Sequence, residues 1–128
     1  MKLLIDTHLL VWAADSLDRV PANAQVLMGD PENTLLFSAA SIWEVAIKSA
    51  LNRPSFQIDV RLLRRGLIDN GYVELPLRSE HAVAVDALPT LHKDPFDRML
   101  IAQAIHEGIT LLTHDTTMAR YGSPVKFV

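Results

Sequence analysis

Two aspartates three residues apart, Asp94 and Asp97, stand in the stretch HKDPFDRML (92–100) at what reads as the start of a helix. Carboxylates in that pattern admit two chemistries. Asp94 is a natural N-cap, Pro95 suits the first helical position, and Asp97 in the first turn answers the helix dipole. The same acids could instead hold a hard cation, provided that further carboxylates reach the same place. Deciding between capping and metal binding requires the elements that position the other acids.

At 128 residues, with 49% hydrophobic and 21% charged residues, the composition is that of one ordinary globular domain, residues 1–128, able to bury its own core. The absence of cysteine excludes a disulfide framework, Cys-ligated zinc and a thiol nucleophile, and is compatible with a reducing cytoplasm. Asp6 and His8 interrupt the apolar N-terminal run and no stretch has the length of a membrane span, so the first segment is expected to belong to the fold of a cytoplasmic protein with no membrane role. A net charge of −3 excludes a global basic field for gripping nucleic acid, and leaves only local contacts. Arg61, Arg64 and Arg65 cluster, and Lys93 and Arg98 flank the opening motif; a solvated helix face is the plainer reading of the cluster.

Short apolar runs and amphipathic segments alternate along the chain. KLLI (2–5) and TLLFS (34–38) read as buried strands, YVELPL as a third strand running into proline, TLLT as a fourth and VKFV as the last. Between them lie helices in THLLVWAAD, RVPANAQVLMGD, SIWEVAIKSAL, DVRLLRRGLIDNG, SEHAVAVDAL and DPFDRMLIAQAIHEG, with TTMARYG a short helix or turn. Ser41 followed by Glu44 matches a capping box, and Gly108 is placed to end its helix in a left-handed conformation. This alternation predicts an α/β fold with a mainly parallel central sheet and helices on both faces.

Ligands of such sheets bind beyond the carboxyl ends of the strands. Asp6 directly follows the first strand, Asp115 closely follows TLLT, Glu44 lies in the first turn of the helix entered from the second strand, and Asp97 in the first turn of the helix leading into TLLT. All four are expected on one sheet edge. Singly, each has a structural explanation as a cap, a dipole partner or, for Glu44, an ion pair with Lys48. Together, four unpaired carboxylates repel one another unless a cation joins them. An all-oxygen set points to Mg²⁺ or Mn²⁺, whose natural work is phosphodiester hydrolysis. No P-loop, nucleophile elbow or dinucleotide fingerprint offers another chemistry. The histidines lack the i, i+4 spacing of a helical zinc site; His8 and His114 adjoin the expected cleft, where packing or surface roles compete with substrate contact.

LLIDTHLLVW, SAASIWEVAIK, HKDPFDRMLIAQAIHEG and LLTHD, in this order and with these separations, resemble the PIN-domain family, and within it the VapC-type toxins of bacterial toxin–antitoxin pairs. The likeness runs from Lys2 to about Asp115. It implies a metal-dependent endoribonuclease using Mg²⁺ or Mn²⁺, with Asp6, Glu44, Asp97 and Asp115 as metal-binding and catalytic acids. Thr7 and Ser38 stand where supporting hydroxyls are found, Thr113 is a further candidate, and Asp94 remains a cap. It also implies an RNA substrate, a small antitoxin partner covering or entering the cleft, and a homodimer. Arg98 and the arginines at 61, 64 and 65 would then meet the RNA backbone. One departure stands out: where relatives place a glycine-containing turn after Lys48, this chain reads SALNRPSF. Two other readings stay open. A receiver-like signalling domain also carries an acidic Mg²⁺ pocket, but wants paired acids after its first strand where this chain has Asp6 alone; a catalytically silent PIN fold would only bind a partner.

Overall fold

The computed structural model describes residues 1–128, apart from the side chain of Ser55. Five strands, β1 (Lys2–Ile5), β2 (Thr34–Ser38), β3 (Val73–Leu75), β4 (Thr110–Thr113) and β5 (Val125–Phe127), form one sheet in the order β3-β2-β1-β4-β5. Every pairing is parallel. The helices are α1 (Thr7–Asp15), α2 (Ala22–Gly29), α3 (Ala39–Ala50), α4 (Val60–Asp69), α5 (Ser79–Val85), α6 (Pro95–Glu107) and the single turn α7 (Thr116–Ala119). The expected α/β architecture is therefore present, and its central strands carry apolar side chains on both faces, as a covered parallel sheet requires.

Strand alternation sorts the core into two halves. Leu3 and Ile5 of β1, Phe37 of β2 and Leu112 of β4 pack with Leu9 and Leu10 of α1, Val45 of α3 and Leu63 and Leu67 of α4. Leu4, Leu36 and Leu111 face the other way, onto Leu100, Ile101 and Ala104 of α6 and Met118 of α7. The same period carries Ser38 and Thr113, the last residues of β2 and β4, to the α6 side. Asp6 continues it one residue beyond β1, its amide still bonded to the Leu112 carbonyl at 3.0 Å. Three polar residues thus end three neighbouring strands facing one helix.

Helix α6 meets them with its buried stripe. Asp97, Leu100, Ile101 and Ala104 are all buried, at the i, i+3, i+4, i+7 spacing of an inward face. Asp94 caps the helix through Phe96 N (2.8 Å) and Asp97 N (3.2 Å), and Gly108 closes it at φ 67°. Helix α3 begins earlier than its S-x-x-E pattern predicts. β2 runs into it without a loop, Ser38 is the N-cap and accepts from Ala40 N, and Ser41 lies inside the first turn. Glu44 is consequently a second-turn residue on the buried face and completes no capping box. After α3, Asn52 takes the left-handed φ of 56°, supplying in SALNRPSF the conformation for which a glycine is otherwise used.

Candidate metal centre

Asp6, Glu44 and Asp97 are buried where the carboxyl ends of β1, β2 and β4 meet α3 and α6, and Asp115 is half-buried beside them. Asp6 stands at the N-cap position of α1 but makes no side-chain cap bond. Its Oδ2 accepts from Thr113 Oγ1 at 2.7 Å, and Thr113 Oγ1 in turn accepts from Asp115 N at 3.0 Å. One hydroxyl at the end of β4 therefore ties two of the acids together. The other oxygen of Asp6, Oδ1, is buried without a hydrogen-bond partner, as is Glu44 Oε1. A buried polar atom left unpaired costs stability in a folded protein, and two such oxygens in one cluster are unusual.

Asp97 is the shared member of the cluster. Its carboxylate lies in one group with Glu44 and Asp94, and in another with His92 and Asp115, the ligating atoms of each group falling within 4.8 Å of one another. Burial above all, and then the charges of Asp6, Asp94, Glu44 and Asp115, push its pKa from 3.8 to about 9. Burial likewise raises Asp6 to about 6, with Glu44 adding to the shift and the Thr113 hydrogen bond and His8 opposing it. With no cation bound, Asp97 is protonated at neutral pH and the cluster sheds part of its charge.

Lys48 and His92 reach in from the sides. Lys48 Nζ bridges Glu44 Oε2 (2.6 Å) and Asp94 Oδ2 (3.0 Å), which outweighs its partial burial and raises its pKa. Although burial opposes the shift, Lys48 and the capping amides hold Asp94 below the usual carboxylate range. His92, which the spacing of the histidines does not single out, places Nε2 3.0 Å from Asp97 Oδ2 and 3.2 Å from Asp115 Oδ2. Its Nδ1 accepts from Asp94 N at 3.1 Å, so a neutral ring carries its proton on Nε2 and donates to Asp115. That bond and the amides of Thr117 and Met118 outweigh burial and lower the pKa of Asp115, which also caps α7.

The remaining candidates act at one remove or elsewhere. Thr7 Oγ1 donates to Ser41 Oγ (2.8 Å) and Ser38 Oγ to Gln103 Oε1 (2.6 Å), fastening α1 to α3 and β2 to α6 without touching a carboxylate. Arg98 is tied to the protein itself. Its guanidinium donates to Pro89 O (2.9 Å), Val85 O and Tyr121 Oη, and Tyr121 Oη accepts from His92 N. It fixes the loop that presents His92. Arg61, Arg64 and Arg65 lie on the exposed face of α4, opposite Leu63 and Leu67; Arg64 is paired with Glu74 at 3.1 Å.

A parallel α/β sheet with acids converging beyond its strand ends defines a class of polar cleft that could hold a cation. Residues 3–124 match the model of the PIN domain, and the chain belongs to that family. This membership sets aside the receiver-like alternative. Among solved structures, VapBC2 from Rickettsia felis bound to a DNA fragment from its promoter shares the fold at TM-score 0.70 and 17% identity, covering 100% of this chain and 98% of that one. A toxin–antitoxin complex from Klebsiella pneumoniae gives 0.62 at 20% identity, over 97% and 95% of the two chains. VapBC-1 from nontypeable Haemophilus influenzae gives 0.63 at 15%, over 100% and 97%. No curated protein matches the chain significantly.

Proposed function

We propose that this PIN domain is a Mg²⁺- or Mn²⁺-dependent endoribonuclease, the VapC-type toxin of a toxin–antitoxin pair. The observation that carries the reading is the pair of buried, partnerless oxygens, Asp6 Oδ1 and Glu44 Oε1, beside a carboxyl whose pKa stands near 9. An all-carboxylate set with no thiolate suits a hard divalent cation. Asp6, Glu44, Asp97 and Asp115 are the residues that would hold it. When bound, such an ion lowers the pKa of a coordinated water and offsets charge on a phosphodiester. Around it, Thr113 orients Asp6, His92 Nε2 faces Asp115, and Lys48 pairs with Asp94 and Glu44.

The structural relatives are toxin–antitoxin complexes by description, which supports a small antitoxin as partner. Trp43 and Ile47 on α3, the helix that carries Glu44, and Leu51 at its C-cap form an exposed apolar stripe at i, i+4, i+8; such a stripe suits a protein surface, an antitoxin or the second subunit of a homodimer. Among the described residues no helix is long and apolar enough to cross a membrane.

Antitoxin-free protein incubated with total cellular RNA and Mn²⁺ or Mg²⁺ should generate discrete new RNA ends that vanish in EDTA and return when metal is restored. Intact RNA under every metal condition, with protein shown to be folded, would favour a silent binding domain instead.

A further inference from the structure

Next to the acids lies a second group of side chains that the hydrolytic reading does not use. A cavity of about 340 Å³ is lined by Asp6, His8, Trp12, His114, Asp115 and Thr116. Two of its walls belong to the acid cluster and three are aromatic. His8 and Trp12, four residues apart, share one face of α1 with their rings 6.0 Å apart. His114 meets Trp12 edge-on at 6.0 Å and stacks on Phe127 at 5.2 Å with 25° between the planes. This array is not closed core: His8 and Trp12 are only half-buried, His114 is exposed, and Phe127 keeps 45% of its surface in solvent.

The rings are also held in place. His114 Nδ1 donates to Val128 O at 2.6 Å, which leaves Nε2 of the neutral ring as an acceptor with no bond to the described residues. Phe56 backs His8 at 5.1 Å. The exposed Arg19 brings its guanidinium 4.9 Å over the Trp12 ring, adding a cation to the same aromatic group. Flat, partly wet aromatic walls with a free imidazole nitrogen and an arginine are the chemistry that receives an unstacked nucleobase and its phosphate. A cavity of this size lies in the range of ligand pockets, about 300–1,000 Å³.

We propose that this pocket binds one nucleobase of single-stranded RNA, the base of a nucleotide adjoining the phosphate addressed by the acids. This rests on the endoribonuclease reading and adds to it a residue set, His8, Trp12 and His114, that sets which base lies beside the cut. His114 Nε2 accepts from an amino or imino N–H of that base.

The test uses the Trp43→Phe protein, in which Trp12 is the only tryptophan. The Mn²⁺-loaded protein is mixed in a stopped-flow instrument with a short single-stranded RNA or with the same RNA made abasic at single positions, and cleavage is followed in the same samples. The expected result is rapid, saturable quenching of Trp12 by intact RNA, lost when one particular position is abasic. His114→Ala and Trp12→Leu, the former at an exposed site and safe for the fold, should each raise KM about tenfold and relax the base preference at the cut. Cleavage with Trp12 fluorescence unmoved, and His114→Ala cutting like wild type, would overturn the pocket while sparing the nuclease. Quenching without any cleavage would keep the pocket and defeat the nuclease reading, and neither signal would defeat both. Quenching by an arginine-containing peptide and not by RNA would overturn the proposal by assigning the pocket to a protein side chain.

Discussion

Both halves of α6 carry a histidine–carboxylate cluster, and the two clusters are opposite in character. Toward its C-terminus, His81 is fully buried; Nδ1 accepts from Arg78 N (3.0 Å) and Nε2 meets Glu107 Oε2 (2.8 Å). Gln103 alongside donates to Pro76 O and accepts from Ser38 Oγ. The hydrogen bond from His81 holds Glu107 below its ordinary pKa. Toward the N-terminus, Asp97 faces four other acids, its pKa is driven up, and two neighbouring carboxylates keep a buried oxygen without a partner. Similar residue types on one helix thus make a satisfied clasp at one end and an unsatisfied cluster at the other. Unsatisfied polarity, more than the presence of His and Asp, marks the end suited to chemistry.

The sharpest way to break this contrast is Asp97→Asn. Losing an outer partner of a metal site costs roughly 10–100-fold in affinity or activity, and removal of the acid shared by both groups should cost more, leaving RNA cleavage undetectable in an end-mapping assay. The same variant in EDTA should melt higher than wild type at pH 8, because an uncharged side chain replaces one that the site keeps protonated. Equal cleavage, or a lower melting temperature, would return Asp97 to an ordinary helix-dipole role.

The pH dependence follows from the same residue. In the metal-free folded protein Asp97 (about 9) and Asp6 (about 6) still bind protons where the unfolded chain, near 3.8, has released them. Their contribution to stability is therefore full below about pH 4 and is lost as the pH rises through 6 and then 9. The melting advantage of Asp97→Asn in EDTA should accordingly widen from pH 5 to pH 9. Metal binding must expel those protons, so apparent affinity for Mn²⁺, read by calorimetry, should rise over that range. A flat difference would mean that Asp97 does not hold a proton in the metal-free fold.

At the satisfied end the losses should be purely structural. His81→Ala removes a buried ring and strands its partners, and is expected to cost about 2–4 kcal/mol in denaturant unfolding, with cleavage per folded molecule unchanged. Asp94→Ala, on the border between cap and cluster, should cost about 0.5–2 kcal/mol for the lost cap and reduce turnover far less than Asp97→Asn does. A variant of Asp94 with normal stability and no activity would exchange the roles of the two acids.

Much of this arrangement is legible in the sequence because it is local. KLLI, TLLFS and TLLT are strands with the expected bounds, since short apolar runs that end in polar residues leave few alternatives. Asp97 falls in phase with Leu100, Ile101 and Ala104, so its burial is written into the helical period. What the sequence hides is tertiary. Ser41 and Glu44 imitate a capping box, yet β2 continues into α3 and hands the cap to Ser38. His92 reaches Asp97 and Asp115 from a loop, at no helical or strand spacing, and Arg98 donates to Pro89 O of that loop and to Val85 O at the end of α5. Both depend on how Tyr121 pins residues 89 and 92, a contact with no signature along the chain.

The bond from Thr113 to Asp6 joins residues 107 positions apart, and β1, which leads into Asp6, occupies the middle of the sheet. A growing chain that has emerged only as far as α6 already contains Asp6, Glu44 and Asp97. It lacks β4, so one side of β1 is an open edge and the acid at its end has neither Thr113 nor the Leu112 carbonyl to fix it. Contacts of such long sequence separation form late and slowly. The acid cluster can therefore be completed only after β4 has followed α6 out of the ribosome.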